Sequence, residues 1–92
     1  MHYQTVVSDV DNIVEKYGRN NSEYYIRHRY DENEEEIYVY EELRKYFEDN
    51  DIAYEISVED GFESPGYSID FMAVAFEHEG NLCLRTVVFK YM

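Results

Sequence analysis

Cations are scarce in this chain: eight lysines and arginines face 21 aspartates and glutamates, leaving a formal charge of −13 on 92 residues. That shortage excludes electrostatic attraction to nucleic-acid phosphates or to an anionic lipid surface. A single cysteine, Cys83, excludes an internal disulfide and makes a reducing, cytoplasmic setting the simpler expectation. Four glycines and one proline provide no Gly-rich phosphate loop, no flexible linker and no low-complexity tract. Met1-His2-Tyr3-Gln4 lacks the basic segment and apolar run of a signal peptide. No apolar stretch approaches the roughly 20 residues that a spanning helix needs, so no membrane partner is expected.

What the sequence does contain is a packed core's worth of apolar residues. The apolar fraction is 45%, with eleven tyrosines and five phenylalanines, whereas disordered chains of similar charge are poor in aromatic and β-branched residues. Ninety-two residues suffice for one domain, spanning 1–92. The charge is unevenly spread. Between Asp31 and Glu63 lie fourteen carboxylates against Arg44 and Lys45 alone, which is −12 of the total −13. Tyr38, Tyr40, Tyr46, Phe47, Tyr54 and three isoleucines are interleaved with those acids, so the charge is expected on folded elements.

Periodicity supplies the elements. Val6, Val10, Ile13, Val14 and Tyr17 recur at spacings of three and four, predicting a helix over 5–17 with Thr5 or Ser8 as its cap and Gly18 at its end. The run 23–30 alternates as a strand, followed by a hairpin loop at 31–35. On a helical wheel Val39, Tyr40, Leu43, Tyr46 and Phe47 share one arc, while Ile37 and Tyr38 fall outside it. That pattern predicts a strand at 36–40 and a helix at 41–49, ended by Asn50-Asp51. A helix from Asn33, with Glu36 completing a capping box, is the competing reading. Strict alternation from Ile52 to Glu59 gives the next strand, and Asp60 to Gly66 reads as a loop. The runs 67–77 and 82–91 are apolar on both faces, predicting strands covered on both sides. The expected fold is α+β, in the order α-β-β-α-β-β-β, with two helices on a mostly antiparallel five-stranded sheet.

Catalysis finds little to work with. His2, His28 and His78 are scattered, and nothing in the spacing brings one to Cys83, so no catalytic residue, cofactor or enzymatic activity is expected. A calcium loop counted from Asp31 to Glu42 fails where the sharp turn requires glycine and the chain has Glu36. No metal ligands are therefore assigned. Arg27 and Arg29 are expected to pair across strands with glutamates of 36–42. Tyr25, Tyr38 and Tyr40 are the tyrosines expected among the carboxylates, where that residue type anchors interfaces.

The acidic face remains. Carboxylates two apart on a strand stand roughly 6.6 Å apart, and i,i+4 pairs on a helix are similarly close, so such residues can lay out a phosphate-like row. The expected partner is a basic, nucleic-acid-binding host protein, and the expected contact residues are Asp31, Glu32, Glu34, Glu35, Glu36, Tyr38, Glu41, Glu42, Glu48, Asp49, Glu55 and Glu59. In size, acidity and tyrosine content the chain resembles the small DNA-mimic inhibitors that phages direct against restriction, repair or CRISPR enzymes. It also resembles bacterial immunity proteins that neutralise nuclease toxins. The first resemblance implies a non-enzymatic inhibitor of a host defence or DNA-processing protein, and the second an antitoxin-type role. An oligomer, such as a homodimer joined through an exposed sheet edge, is the third reading.

Self-repulsion at −13 opposes the compact state, and screening by salt shortens its reach. The melting temperature should therefore rise between 20 and 300 mM NaCl, followed by circular dichroism; a flat or falling curve would contradict a net repulsive charge distribution.

Overall fold

Valines four residues apart make one stripe along the first helix, and that stripe is its buried face. The computed structural model describes residues 1–16, 23–28 and 34–91, with the backbone alone at 23–28, 34, 35, 60, 62, 90 and 91. Helix α1 spans Tyr3–Glu15 and buries Val6, Val10 and Val14 completely or nearly so. It starts two residues before the predicted boundary. The His2 carbonyl accepts the N–H groups of Thr5 and Val6 at 3.0 and 3.1 Å, and no side chain caps the helix. The expected roles of Tyr17 and Gly18 lie outside the described residues.

Strand β1 (Glu23–His28) precedes helix α2 (Glu34–Asp49), which is followed by strands β2 (Ala53–Ser64), β3 (Tyr67–His78) and β4 (Asn81–Tyr91). Among the described residues the sheet has four strands in the order β1-β4-β3-β2. β2, β3 and β4 form antiparallel pairs, and β1 joins β4 in parallel. The α+β class stands, but the fifth strand at 36–40 does not exist, because those residues are the opening turns of α2. Ile-Tyr-Val-Tyr has strand propensity, yet tertiary packing overrides it. A helical start places Glu36 and Val39 on the same stripe as Leu43 and Phe47, all four buried, and leaves Ile37 and Tyr38 in solvent at 56% and 49% exposure. The helix therefore buries its best apolar residues and simply exposes the two that fit badly.

The end of α2 is built in detail. Asp51 takes a left-handed conformation with φ 55°. The N–H of Ile52 bonds to the carbonyl of Phe47 at 2.9 Å, and the N–H of Asp51 bonds to that of Glu48 at 3.2 Å. This pair of bonds is a Schellman closure, and its usual apolar contact position is filled by two buried residues, Phe47 and Ile52. The chain consequently turns straight from α2 into β2.

Two further expectations give way. The predicted loop at 60–66 is mostly strand: β2 continues to Ser64 through an irregularity between Asp60 and Phe62, and only Pro65-Gly66 turns. Gly61 makes that continuation possible, because its backbone passes against the Ile69 carbonyl. Moreover, β3 and β4 are covered on one face only, among the described residues. Met72, Val74, Phe76, Cys83, Val87 and Phe89 point to the helices and join the core with Val6, Val10, Val14, Val39, Leu43, Phe47 and Ile52. On the other face Leu82 and Leu84 are 64% and 67% exposed. No described helix is long and apolar enough to cross a membrane.

A β-carbon at position 61 would collide with the Ile69 carbonyl and lie 2.6 Å from Phe71 Cε2. Gly61→Ala should cost about 1–3 kcal/mol, the usual penalty of overpacking. Urea denaturation measures it, and an unchanged midpoint would mean that the strand can shift at no cost.

Candidate acidic interface

Apart from Asp51 in the turn itself, the acids between 34 and 63 sit on two elements, α2 and β2, that this turn holds together. Ring contacts reinforce that junction: Phe47 stacks on Tyr54 with ring centres 5.0 Å apart, and also meets Phe76 at 5.5 Å. The Tyr54 hydroxyl donates to Glu48 Oε2 at 2.6 Å, binding the first turns of β2 to the last turn of the helix. This bond, then the Arg44 guanidinium, holds the Glu48 carboxyl below the usual carboxylate range. The same bond and partial desolvation push the Tyr54 hydroxyl above its ordinary value.

Along α2 the acids are largely matched by local cations. Arg44 bridges Glu41 at 2.8 Å and Glu48 at 3.1 Å, Lys45 reaches Asp49 at 2.6 Å, and Lys16 of α1 reaches Glu42 at 2.6 Å. Four carboxylates thus meet three cations, and the guanidinium of Arg44 is held more firmly charged, by Glu41 first and Glu48 second. All of these groups are in reach of solvent, so each pair adds little to stability. Their larger effect is to remove most of the helix's net charge at its C-terminal half.

Strand β2 differs. Glu55, Glu59 and Glu63 are exposed and form no ion pair or hydrogen bond among the described residues. Glu55 and Glu59 share the face of the sheet that the helices leave bare, while the irregularity at Gly61 moves Glu63 into register with Ser68 instead. Glu77 joins the first two, since its register partner is Ala53. The sequence reading missed Glu77; the alternation of β3 placed it opposite the core residue Phe76, which is the signal that could have found it.

The twelve expected contact residues therefore separate. Asp31 and Glu32 lie outside the described residues, and Glu34 and Glu35 are placed only as the first turn of α2. Glu36 is a correction: it is 7% exposed and turned toward the core side of the helix, so it contributes nothing to an outer acidic face. Tyr38 stands in solvent as expected, whereas Tyr40 packs against the core. Glu41, Glu48 and Asp49 are exposed but paired, Glu42 is half-buried and paired, and Glu55 and Glu59 are exposed and unpaired among the described residues.

The premise for Arg27 and Arg29 also falls, because β1 neighbours β4 and not a strand at 36–40. In register, Arg27 stands opposite Lys90; Arg29 lies outside the described residues. The calcium-loop count is excluded by conformation, since its second half is helix.

Other titratable groups serve the frame. Tyr46 donates to Asp9 Oδ2 at 2.8 Å, linking the helices, and burial, aided by that bond, pushes its hydroxyl up. Arg85 reaches Asp11 at 3.0 Å, tying β4 to α1. Glu79 accepts the Tyr3 backbone N–H, which with His2 holds its carboxyl below the ordinary range. The His78 ring nitrogen lies 2.7 Å from the Met1 carbonyl, and Cys83 is buried beneath α1 beside Tyr3. Among the described residues, no three His, Cys, Asp or Glu side chains converge as a metal-binding group.

Because Glu48 titrates below its unfolded value, its contribution to stability is complete above the usual carboxylate pKa and is lost as pH falls through the folded value. Tyr54→Phe removes the first cause of that shift. Carboxyl-detected NMR titration should show Glu48 moving up toward the ordinary range in the variant, and an unmoved titration would mean that Arg44 alone sets it.

Compared with family models, curated proteins and solved structures, the chain matches none.

Proposed function

We propose that this protein is a non-enzymatic acidic inhibitor that occupies the basic, nucleic-acid-binding surface of another protein. In a phage setting that protein would be a host restriction, CRISPR or repair enzyme. The observation that carries the reading is the set of unmatched carboxylates along β2. Glu55 and Glu59 on the bare face, and Glu63 beyond the irregularity on the opposite face, are exposed, lack cations among the described residues, and stand on a strand fixed by the Schellman turn and the Phe47–Tyr54 stack. A solubilising surface needs no such fixed backbone. A competitor of nucleic acid does, because charges already held in place lose little freedom on binding. Complementary charge also accelerates encounter and makes it salt-sensitive.

The paired acids of α2 have a supporting part. Glu41, Glu48 and Asp49 can exchange Arg44 and Lys45 for a partner's cations, but each exchange breaks an existing pair. The net attraction per residue should therefore be larger on β2 than on α2.

Immobilised protein should retain basic proteins from a bacterial lysate at 50 mM salt and release them to excess duplex DNA. Reversal of Glu55, Glu59 and Glu63 to lysine should weaken that retention by tenfold or more, and reversal of Glu41 and Glu42 by less. Retention that duplex DNA leaves intact, or a triple variant as strong as wild type, would remove the basis for this reading.

A further inference from the structure

The bare face of the sheet has the wrong composition for a surface that meets only water. An antiparallel sheet with one solvated face normally alternates apolar inward and polar outward. Here the outward register rows read Ala53–Glu77–Leu82, Glu55–Ala75–Leu84, Ser57–Ala73–Thr86 and Glu59–Phe71–Val88. Leu82 and Leu84 stand mostly in solvent on β4 and Phe71 is 37% exposed, whereas Val88 at the end of the last row is buried. Contiguous exposed apolar residues with a polar border mark interaction sites.

Shape and charge specify the occupant. Alanines at 53 and 75 leave a hollow of about 210 Å³ bordered by Glu55, Glu77 and Leu82. It is shallow and open to solvent, and its lining combines Ala53, Ala75 and Leu82 with the carboxylates Glu55 and Glu77 and with Tyr54 and Phe76. A lysine or arginine fits that description, because its methylene stem packs on apolar surface while its charged head stays at the polar rim. Glu59 continues the acidic border along β2, and the four rows from Ala53 to Val88 hold no lysine or arginine on β2, β3 or β4, the cations Lys90 and Arg27 standing one row further on, in register with Ile69. A second copy of the chain is a poor match, since it would bring another 13 net negative charges to the contact.

We infer that the bare face is the docking surface for a basic protein segment whose lysine or arginine enters the Ala53–Ala75 hollow and whose apolar residues cover Leu82 and Leu84. The inference rests on the acidic-inhibitor reading for the sign of the partner's charge. It adds that the contact is part apolar and lies on the sheet, where pure phosphate mimicry would need carboxylates alone.

Three synthetic peptides serve as probes against the full ¹⁵N-labelled chain: an amphipathic Leu/Lys peptide, an oligolysine of equal charge and a Leu/Glu peptide. The Leu/Lys peptide should shift the amides of Ala53, Ala75, Leu82 and Leu84 and bind at least tenfold more tightly than oligolysine, with no binding by Leu/Glu. L82K/L84K should abolish that tenfold advantage while keeping the wild-type circular dichroism, both positions being exposed in the wild type. Equal affinity for the two cationic peptides, or shifts confined to α2, overturns the sheet-face inference and leaves the acidic reading standing. Failure of both cationic peptides at 50 mM salt overturns both. Sedimentation showing a micromolar dimer whose contact is Leu82 and Leu84 assigns the face to a second copy and overturns the inference.

Discussion

Phe47 is the side chain on which the layers of this molecule converge. It is fully buried, it packs on Tyr54 and Phe76 of the sheet, and its own carbonyl closes the turn that sends the chain into β2. Helix position, strand direction and the start of the acidic row all follow from that one anchorage. Truncating a buried phenylalanine generally costs about 3–5 kcal/mol. Here the loss would also free Glu48 and Tyr54 to separate, so the electrostatic arrangement depends on apolar packing.

The charge is organised more finely than its total suggests. On α2, arginine and lysine sit three or four residues from their acids, the spacing at which helical neighbours meet. On β2, Glu55 and Glu59 face outward with no such partners among the described residues, and the strand is an edge of the sheet. Charged edges resist pairing with other chains. The same residues therefore discourage unselective strand addition while remaining available to a cationic surface.

Much of this was legible beforehand, for identifiable reasons. The valine stripe of α1 and the alternation from Ile52 to Glu59 are local signals, and the structure agrees with them. Residues 36–40 misled because Ile, Tyr and Val favour strands locally, and only the burial of Val39 with Leu43 and Phe47 decides for helix. Gly61 misled because an isolated glycine inside a strand looks like a loop until its neighbour Ile69 is known. Apolar residues on both faces of β3 and β4 were read as double cover, which assumed that every leucine seeks a core. Exposed Leu82 and Leu84 show that the pattern alone cannot distinguish a buried face from a sticky one. The parallel pairing of β1 with β4 joins segments some sixty residues apart, and no local pattern encodes it.

That pairing has a consequence for synthesis. β4 lies inside the sheet between β1 and β3, yet it is made after every other described element. While the ribosome is still working on residues 81–91, β1 has no neighbour to join and the valines of α1 lack half of their floor. The nascent chain must wait with apolar surface uncovered. All 21 carboxylates emerge before β4, and their mutual repulsion keeps that unfinished chain apart from others like it. The acidity that opposes folding thermodynamically thus protects it kinetically.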